Sequence, residues 1–304
     1  SWGERVTTEV GARYDHHSAT GDDLLSPRLS VGWRLGEQSI MRFAWGRFFQ
    51  SQRPYELQVG DGETRLHRAE RSDQWVVSYE TWPRHTDGRI ATLRLELYRR
   101  QVEHPRPRWE GLLEPVNFFP EIEPDRVRVA PRRSRERGVE LLVRGTPGRR
   151  TGWWAAYAWA QASDEIDGRR VPRPLDQRHT LTLGVDRQLP HDWRLDLAWR
   201  WHTGWPTTPV VPGRVTEDVA FASFGPLESR RLSPYHRLDL RASKRWQLSH
   251  GALTFFVDVQ NLYARRNPAG FDVVTDDRTG HVRLDEEGWP GIVPSLGVTW
   301  QLGD

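Results

Sequence analysis

Between Trp193 and His202 every second residue is large and apolar, and this alternation constrains the fold more than any other feature of the chain. Trp193, Leu195, Leu197, Trp199 and Trp201 fall on one side of an extended strand, and Arg194, Asp196, Ala198, Arg200 and His202 on the other. One face needs lipid or a core and the other needs water. The same pattern recurs in Tyr235–Trp246, where Leu238, Leu240, Ala242 and Trp246 oppose Arg237, Asp239, Arg241, Ser243 and Arg245. Leu253, Phe255, Val257 and Val259 then oppose Thr254, Asp258 and Gln260, and Leu296, Val298, Trp300 and Leu302 oppose Ser295, Gly297, Thr299 and Gln301.

No run approaches the roughly 20 apolar residues of a membrane helix. A transmembrane barrel asks only for every second residue of a strand of about ten to be apolar. Its composition is therefore unremarkable at 37% hydrophobic and 28% charged. Sixteen tryptophans against one methionine and no cysteine favour a membrane interface, where an indole keeps its ring in apolar surroundings and its N–H wet. A net charge of +3 is too close to neutral for a nucleic-acid binder, so no nucleic acid is expected as a partner. The chain starts at Ser1 with no secretory signal pattern and is expected to be a mature protein or a fragment.

In chain order, strands are expected through Val6–Tyr14, Leu29–Leu35, Met41–Trp45, Trp75–Tyr79, Ala91–Leu97 and Val139–Val143. Others follow through Trp153–Ala162, His179–Val185 and Trp193–Trp201, and the three C-terminal ones bring the total to about twelve. Short turns at Gly36, Pro83–Gly88, Thr146–Gly148, Leu189–Asp192 and Ser249 alternate with loops at His16–Ser26, Gln50–Arg71, Glu103–Arg135, Asp164–Asp176, Gly204–Ser233 and Arg265–Gly288. Outer-membrane barrels connect strands in this way, with short periplasmic turns and long outer loops. The reading sorts Trp33, Trp82, Trp153, Trp193, Trp246 and Trp300 to the turn side, and Tyr14, Phe48, Tyr98, Trp159, Trp201, Tyr235 and Tyr263 to the loop side, as two aromatic girdles. A soluble β-sandwich would have no reason to sort aromatics this way. By the same period Arg94, Glu96, Glu140, Arg144, Asp186, Arg194, Asp196, Arg200, Arg237, Asp239, Arg241 and Asp258 point into the lumen.

Five stretches carry a resemblance. They are Ser26-Pro-Arg-Leu-Ser30; Ala44-Trp-Gly-Arg-Phe-Phe-Gln50 with Gln52-Arg-Pro-Tyr55; Tyr235-His-Arg-Leu-Asp-Leu240; Phe256-Val-Asp-Val-Gln-Asn-Leu-Tyr263 with Asn267-Pro268; and Pro294-Ser-Leu-Gly-Val-Thr-Trp300. In these the chain resembles the C-terminal half of a TonB-dependent outer-membrane receptor. The resemblance implies an all-β antiparallel barrel of about 22 strands around a plugged lumen. Residues 1–304 would then be its C-terminal half, about twelve strands, with the plug absent and the barrel open or partial. It further implies a bacterial outer-membrane location, TonB as partner through the missing N-terminal part, outer-membrane lipid and lipopolysaccharide as surroundings, and import of a scarce bulky ligand such as a ferric siderophore. One departure is the end, where Leu302-Gly-Asp304 follows Trp300 and the family commonly closes on an aromatic residue.

No catalytic, cofactor-binding or metal-binding residue is expected, and the residues that would touch a ligand are not legible. Adjacent His16 and His17 point apart and read as solvated. Glu121, Glu123 and Asp125 are interrupted by Pro124 and lack the glycine of a calcium loop. Asp272, Asp276, Asp277, Asp285, Glu286 and Glu287 read as a hydrated loop able to attract a cation. The basic run Arg126–Arg137 suits lipopolysaccharide phosphate or plain solvation. A passive porin, an autotransporter-type barrel and a barrel lipid hydrolase are the rival readings. For the hydrolase, His179 on the lipid side has no obvious serine partner and Gly-x-Ser-x-Gly is absent.

Overall fold

A computed structural model describes residues 5–83, 92–113, 126–148, 150–216, 219–275, 278 and 282–302. Twelve antiparallel strands follow one another in chain order as a single wall. We number them β1 (Val6–His17), β2 (Asp22–Arg34), β3 (Ser39–Gln50), β4 (Glu70–Thr81), β5 (Thr92–Glu103), β6 (Arg133–Gly145), β7 (Thr151–Ile166), β8 (His179–Leu189), β9 (Trp193–His202), β10 (Tyr235–Leu248), β11 (Gly251–Gln260) and β12 (Val293–Leu302). Each strand pairs with its sequence neighbours. β1 and β12 are not joined, so the sheet is open.

Register keeps the two faces chemically separate. One cross-strand row runs Val6, Trp33, Met41, Tyr79, Leu95, Leu141, Tyr157, Leu181, Trp201, all on the outer face. It starts at the turn end of β1 and reaches the loop end of β9, so the strands are staggered and tilt as barrel strands must. Val10, Leu296 and Leu302 are about three-quarters exposed, at 76%, 74% and 76%. Buried residues, by contrast, include Asp22, Asp164, Asp176, Asn261 and Asn267. A soluble protein buries its leucines and wets its aspartates. Here the arrangement is inverted, as a lipid-facing wall requires. No helix among the described residues is long and apolar enough to cross a membrane; strands make the crossing.

The strands outrun the alternation that announces them. The expected loop His16–Ser26 is instead a four-residue turn, because β1 continues to His17 and β2 begins at Asp22. β7 likewise extends to Ile166 and folds back as Arg169–Pro172. Farther out the loops form ribbons: Arg108–Gly111 with Arg126–Val129, Val210–Thr216 with Val219–Phe224, and Pro268–Thr275 with Val282–Gly288. Most of the Pro83–Gly88 turn, and Ala91, lie outside the described residues. At the turn end, His191 and Asp192 both take positive φ, at 60° and 57°, which closes the tight connection from β8 to β9.

Five of the six turn-side tryptophans, Trp33, Trp153, Trp193, Trp246 and Trp300, belong to the apolar register of the outer face, whereas Trp82 lies one residue past β4 and outside that register. The loop-side girdle is corrected. Tyr14, Trp159 and Trp201 face outward, but Phe48, Tyr98 and Tyr235 have the opposite parity and face the lumen. Tyr98 lies on Gly138, where an added Cβ would come within 2.6 Å of its ring. Tyr235 stacks on His202 with ring centroids 4.7 Å apart. Aromatic rings that cover glycines pin register from the inside, so they serve the sheet rather than the lipid interface.

Candidate functional site: inner wall and loop base

All twelve ionisable residues assigned to the lumen by period share the inner face. The densest part lies on β8–β11. There Asp186, Arg194, Asp196, Asp239, Arg241, Asp258 and Gln260 line a concavity of about 470 Å³ with Trp154 and Ser295. Arg194 Nη2 reaches Asp196 at 3.0 Å and Asp186 at 3.5 Å. Arg241 Nη1 reaches Asp258 at 3.2 Å, and its guanidinium lies 3.9 Å from the Phe256 ring centroid. With Arg237 paired to Asp239, four carboxylates face three guanidiniums, which leaves this patch slightly anionic and able to receive cationic side chains or amide donors from whatever occupies the lumen.

The wall pairs many of its own charges. Arg94 binds Glu96 at 2.6 Å and Arg237 binds Asp239 at 3.0 Å. Strand geometry explains this: residues two apart share a face and lie close enough for an arginine to reach a carboxylate. Among the described residues of this set Glu140, Arg144 and Arg200 have no ion-pair partner. Glu140 sits directly opposite Glu96, and Arg200 opposite Arg237.

Above the wall, buried acids and amides tie the loops to the strand ends. Asp164 accepts from Ser134 Oγ and Arg108 Nη2, both at 2.5 Å. Asp176 accepts the Ala162 amide at 2.6 Å and binds the Arg231 guanidinium, whose Nη1 also donates to the carbonyls of Asp176 and Gly204 at 2.7 and 3.0 Å. Asn267 clamps His236, accepting its N–H at 2.9 Å and donating to its carbonyl at 3.0 Å. Asn261, at φ 54°, donates to the Arg265 carbonyl at 2.9 Å, while its own N–H donates to Asp239 at 3.0 Å. Arg126 joins the ribbon to the β3–β4 loop through Asp61 at 2.6 Å, and Arg106 does so through Glu56 at 2.7 Å.

Within this layer Glu228 is 3% exposed and has one carboxyl oxygen without a protein partner among the described residues. Burial, reinforced by the nearby Glu110 charge, pushes its carboxyl up to about 8. It is therefore neutral in the fold at neutral pH and ionised in the unfolded segment above its ordinary value of 4.5. Its stabilising effect is complete below about pH 4.5 and is lost as pH rises toward about 8. Tryptic cleavage at Arg230–Arg231, corrected for the protease's own pH profile, is expected to accelerate across that window. Glu228→Gln should flatten the dependence; an unchanged slope in that variant would assign the effect elsewhere.

His16 meets Asp23 at 2.9 Å and His17 meets Thr20 at 2.8 Å, so the pair diverges as expected. His179 lies on the outer face and meets the Tyr157 hydroxyl at 2.8 Å. Asp272 and Asp285 oppose each other across a loop ribbon. Glu121, Glu123, Asp125, Asp276 and Asp277 lie outside the described residues. No group of three or more metal-ligating side chains occurs among the described residues. In the basic run, Arg133 pairs with Glu103 at 2.8 Å and Arg135 with Glu165 at 3.7 Å, so part of it is neutralised within the sheet. Sequence reasoning missed the buried Asp164, Asp176 and Glu228. Asn261 and Asn267 were visible only as part of the quoted motif.

The comparisons with known proteins agree with this architecture. The family model "TonB dependent receptor-like, beta-barrel" matches residues 1–262. No curated protein matches the chain in sequence. Among solved structures, the outer membrane transporter YddB from Escherichia coli superposes with a TM-score of 0.65 at 11% identity, over 98% of this chain and 43% of that one. The ferric enterobactin receptor PfeA of Pseudomonas aeruginosa gives 0.61 at 16% identity, over 99% and 43%. The ferripyoverdine receptor of the same organism gives 0.61 at 14%, over 98% and 37%. The chain thus spans about two-fifths of the length of these structures. An outer face of leucine and tryptophan, an inner face of paired charges, neighbour-only pairing and the matched residues have one reading: this chain belongs to the TonB-dependent receptor β-barrel family.

Proposed function

We propose that residues 1–304 supply the C-terminal half of the barrel wall of an active transporter, which imports a scarce, bulky ligand such as a ferric siderophore with energy delivered by TonB. The location is the outer membrane, as for the family. The observation that carries the reading is the inner wall. A strip this rich in Asp and Arg, anionic around Asp186, Asp196, Asp239 and Asp258, suits a wide aqueous lumen filled by a polar domain with complementary donors. Relatives described as receptors for ferric enterobactin and ferripyoverdine support an iron-chelate cargo. The family is one of transporters rather than enzymes, and we assign the segment no catalytic residue. Its outer surface takes outer-membrane lipid and lipopolysaccharide as partners.

The test is uptake. A complete receptor containing this wall should support growth on a ferric siderophore only when TonB is present. Residues 1–304 exported alone should give at most passive conductance that is indifferent to TonB deletion. Uptake by the segment alone that vanished on deleting TonB would overturn the assignment, as would a complete receptor that works equally well without TonB.

A further inference from the structure

On the outer face of β4–β7 the apolar row Val77, Leu97, Val139, Trp159 is followed toward the loops by the row Trp75, Arg99, Arg137, Gln161. Arg99 and Arg137 are direct cross-strand partners, and like charges in that position are destabilising. Farther out the arginines have carboxylates: Arg133 has Glu103 and Arg135 has Glu165. The row nearest the hydrocarbon has none. Among the described residues neither Arg99, Arg137 nor Arg170 has a carboxylate in ion-pair range, although uncompensated charge is costliest beside lipid.

Their geometry holds the two charges apart and open. Arg99 leans over Trp75, 5.8 Å from its ring centroid, and Arg137 leans the other way over Trp159 at 5.6 Å. Gln161 accepts from Arg137 Nε and Nη2 at 3.0 and 2.8 Å, and Gln101 accepts from Arg99 Nη2 at 3.3 Å. Between them lies a concavity of about 220 Å³, lined by Arg99, Arg135, Glu136, Arg137, Gln161, Ser163 and Arg170. Glu136 is engaged by Arg100 and Arg173. The guanidinium N–H groups not used by glutamine suit the forked recognition of a phosphate.

We propose that Arg99, Arg135, Arg137 and Arg170 form a lipid-facing site for the phosphorylated headgroup of an outer-leaflet glycolipid, its acyl chains running over Leu97, Val139 and Trp159. The inference rests on the orientation given above, with loops outside and turns at the periplasm, and gives the lipid partner a place.

The complete receptor, purified from outer membranes in mild detergent, is examined by native mass spectrometry for retained bisphosphorylated lipid A. The Arg99→Gln/Arg137→Gln double variant should retain about tenfold less or lower, since it loses charge-assisted hydrogen bonds on both strands. Arg187→Gln, an exposed outward arginine at the turn end, should retain the wild-type amount. In lipid-free detergent the double variant should melt above the wild type, because the opposed charges are gone. Added bisphosphorylated lipid A should raise the wild-type midpoint and leave that of the variant unmoved. Equal retention by wild type and double variant would overturn the proposal, and so would equal loss in Arg187→Gln. Displacement of the lipid by millimolar inorganic phosphate would identify a free-anion site instead. Lipid retention does not depend on cargo uptake, so retention without TonB-dependent uptake would refute only the transport reading.

Discussion

Leu197→Arg is expected to cost about 2–4 kcal/mol of folding free energy in a bilayer, whereas Ala198→Arg, one residue along the same strand, should cost far less. Leu197 sits in the outer row between Val185 and Leu240, where an arginine would face acyl chains. Ala198 lies between Gly184 and Asp239 on the inner face and lines the anionic concavity. An arginine there meets water and carboxylates. Urea titration of the vesicle-inserted receptor, followed by tryptophan fluorescence, separates the two. Equal costs would mean that the outer face does not meet lipid, and a sandwich would have to replace the barrel.

The second large effect belongs to the loop base. Asp176→Ala should destabilise the β7–β8 and β9–β10 loop layer by about 1–3 kcal/mol, because it takes a buried acceptor from a partly exposed guanidinium and from a half-buried amide together. The Asp176 side chain is 1% exposed, and losing it leaves Arg231 with two backbone carbonyls and the Ala162 N–H with no acceptor. Asp176→Asn keeps an oxygen for Ala162 and should cost less. Hydrogen exchange at Ala162 and through Gly204–Leu232 reads the difference, while heat-modifiable gel migration should show the wall still formed. Unchanged protection in Asp176→Ala would mean that the ion pair holds nothing in place.

The wall was legible because lipid imposes a rule on every second residue. All twelve strands and the sidedness of their charges followed from Leu, Val and Trp recurring at period two. Beyond the lipid that rule lapses. Backbone pairing continues through Asp22–Ser26, Arg133–Arg135 and Asp164–Ile166, but apart from Leu25 the outward positions are wet and carry Asp, Arg or Glu, so these stretches read as loop. The inward turn of Tyr98 follows from its own parity against Leu97, and position near a strand end was a poorer guide than counting. Asp164 and Asp176 carry no local mark at all. Their partners Arg108 and Arg231 are 56 and 55 residues away, and only the folded loops bring them together. The resemblance supplied Asn261 and Asn267 as a motif, and geometry gives the reason: both fasten the exit of β11 to β10.

Because every wall strand pairs only with its neighbours in sequence, the natural unit of variation is the hairpin. Removing or duplicating two adjacent strands leaves all other registers intact and needs one new seam, at which the row of outward apolar residues must still meet its continuation. Circumference can therefore change in steps of two strands through unequal recombination within a gene, with no compensating change elsewhere in the sheet. The loops lack that freedom. Arg126 with Asp61 and Arg108 with Asp164 stitch together connections that leave different hairpins. A wall that can be lengthened piecemeal thus carries a cap that must be inherited whole.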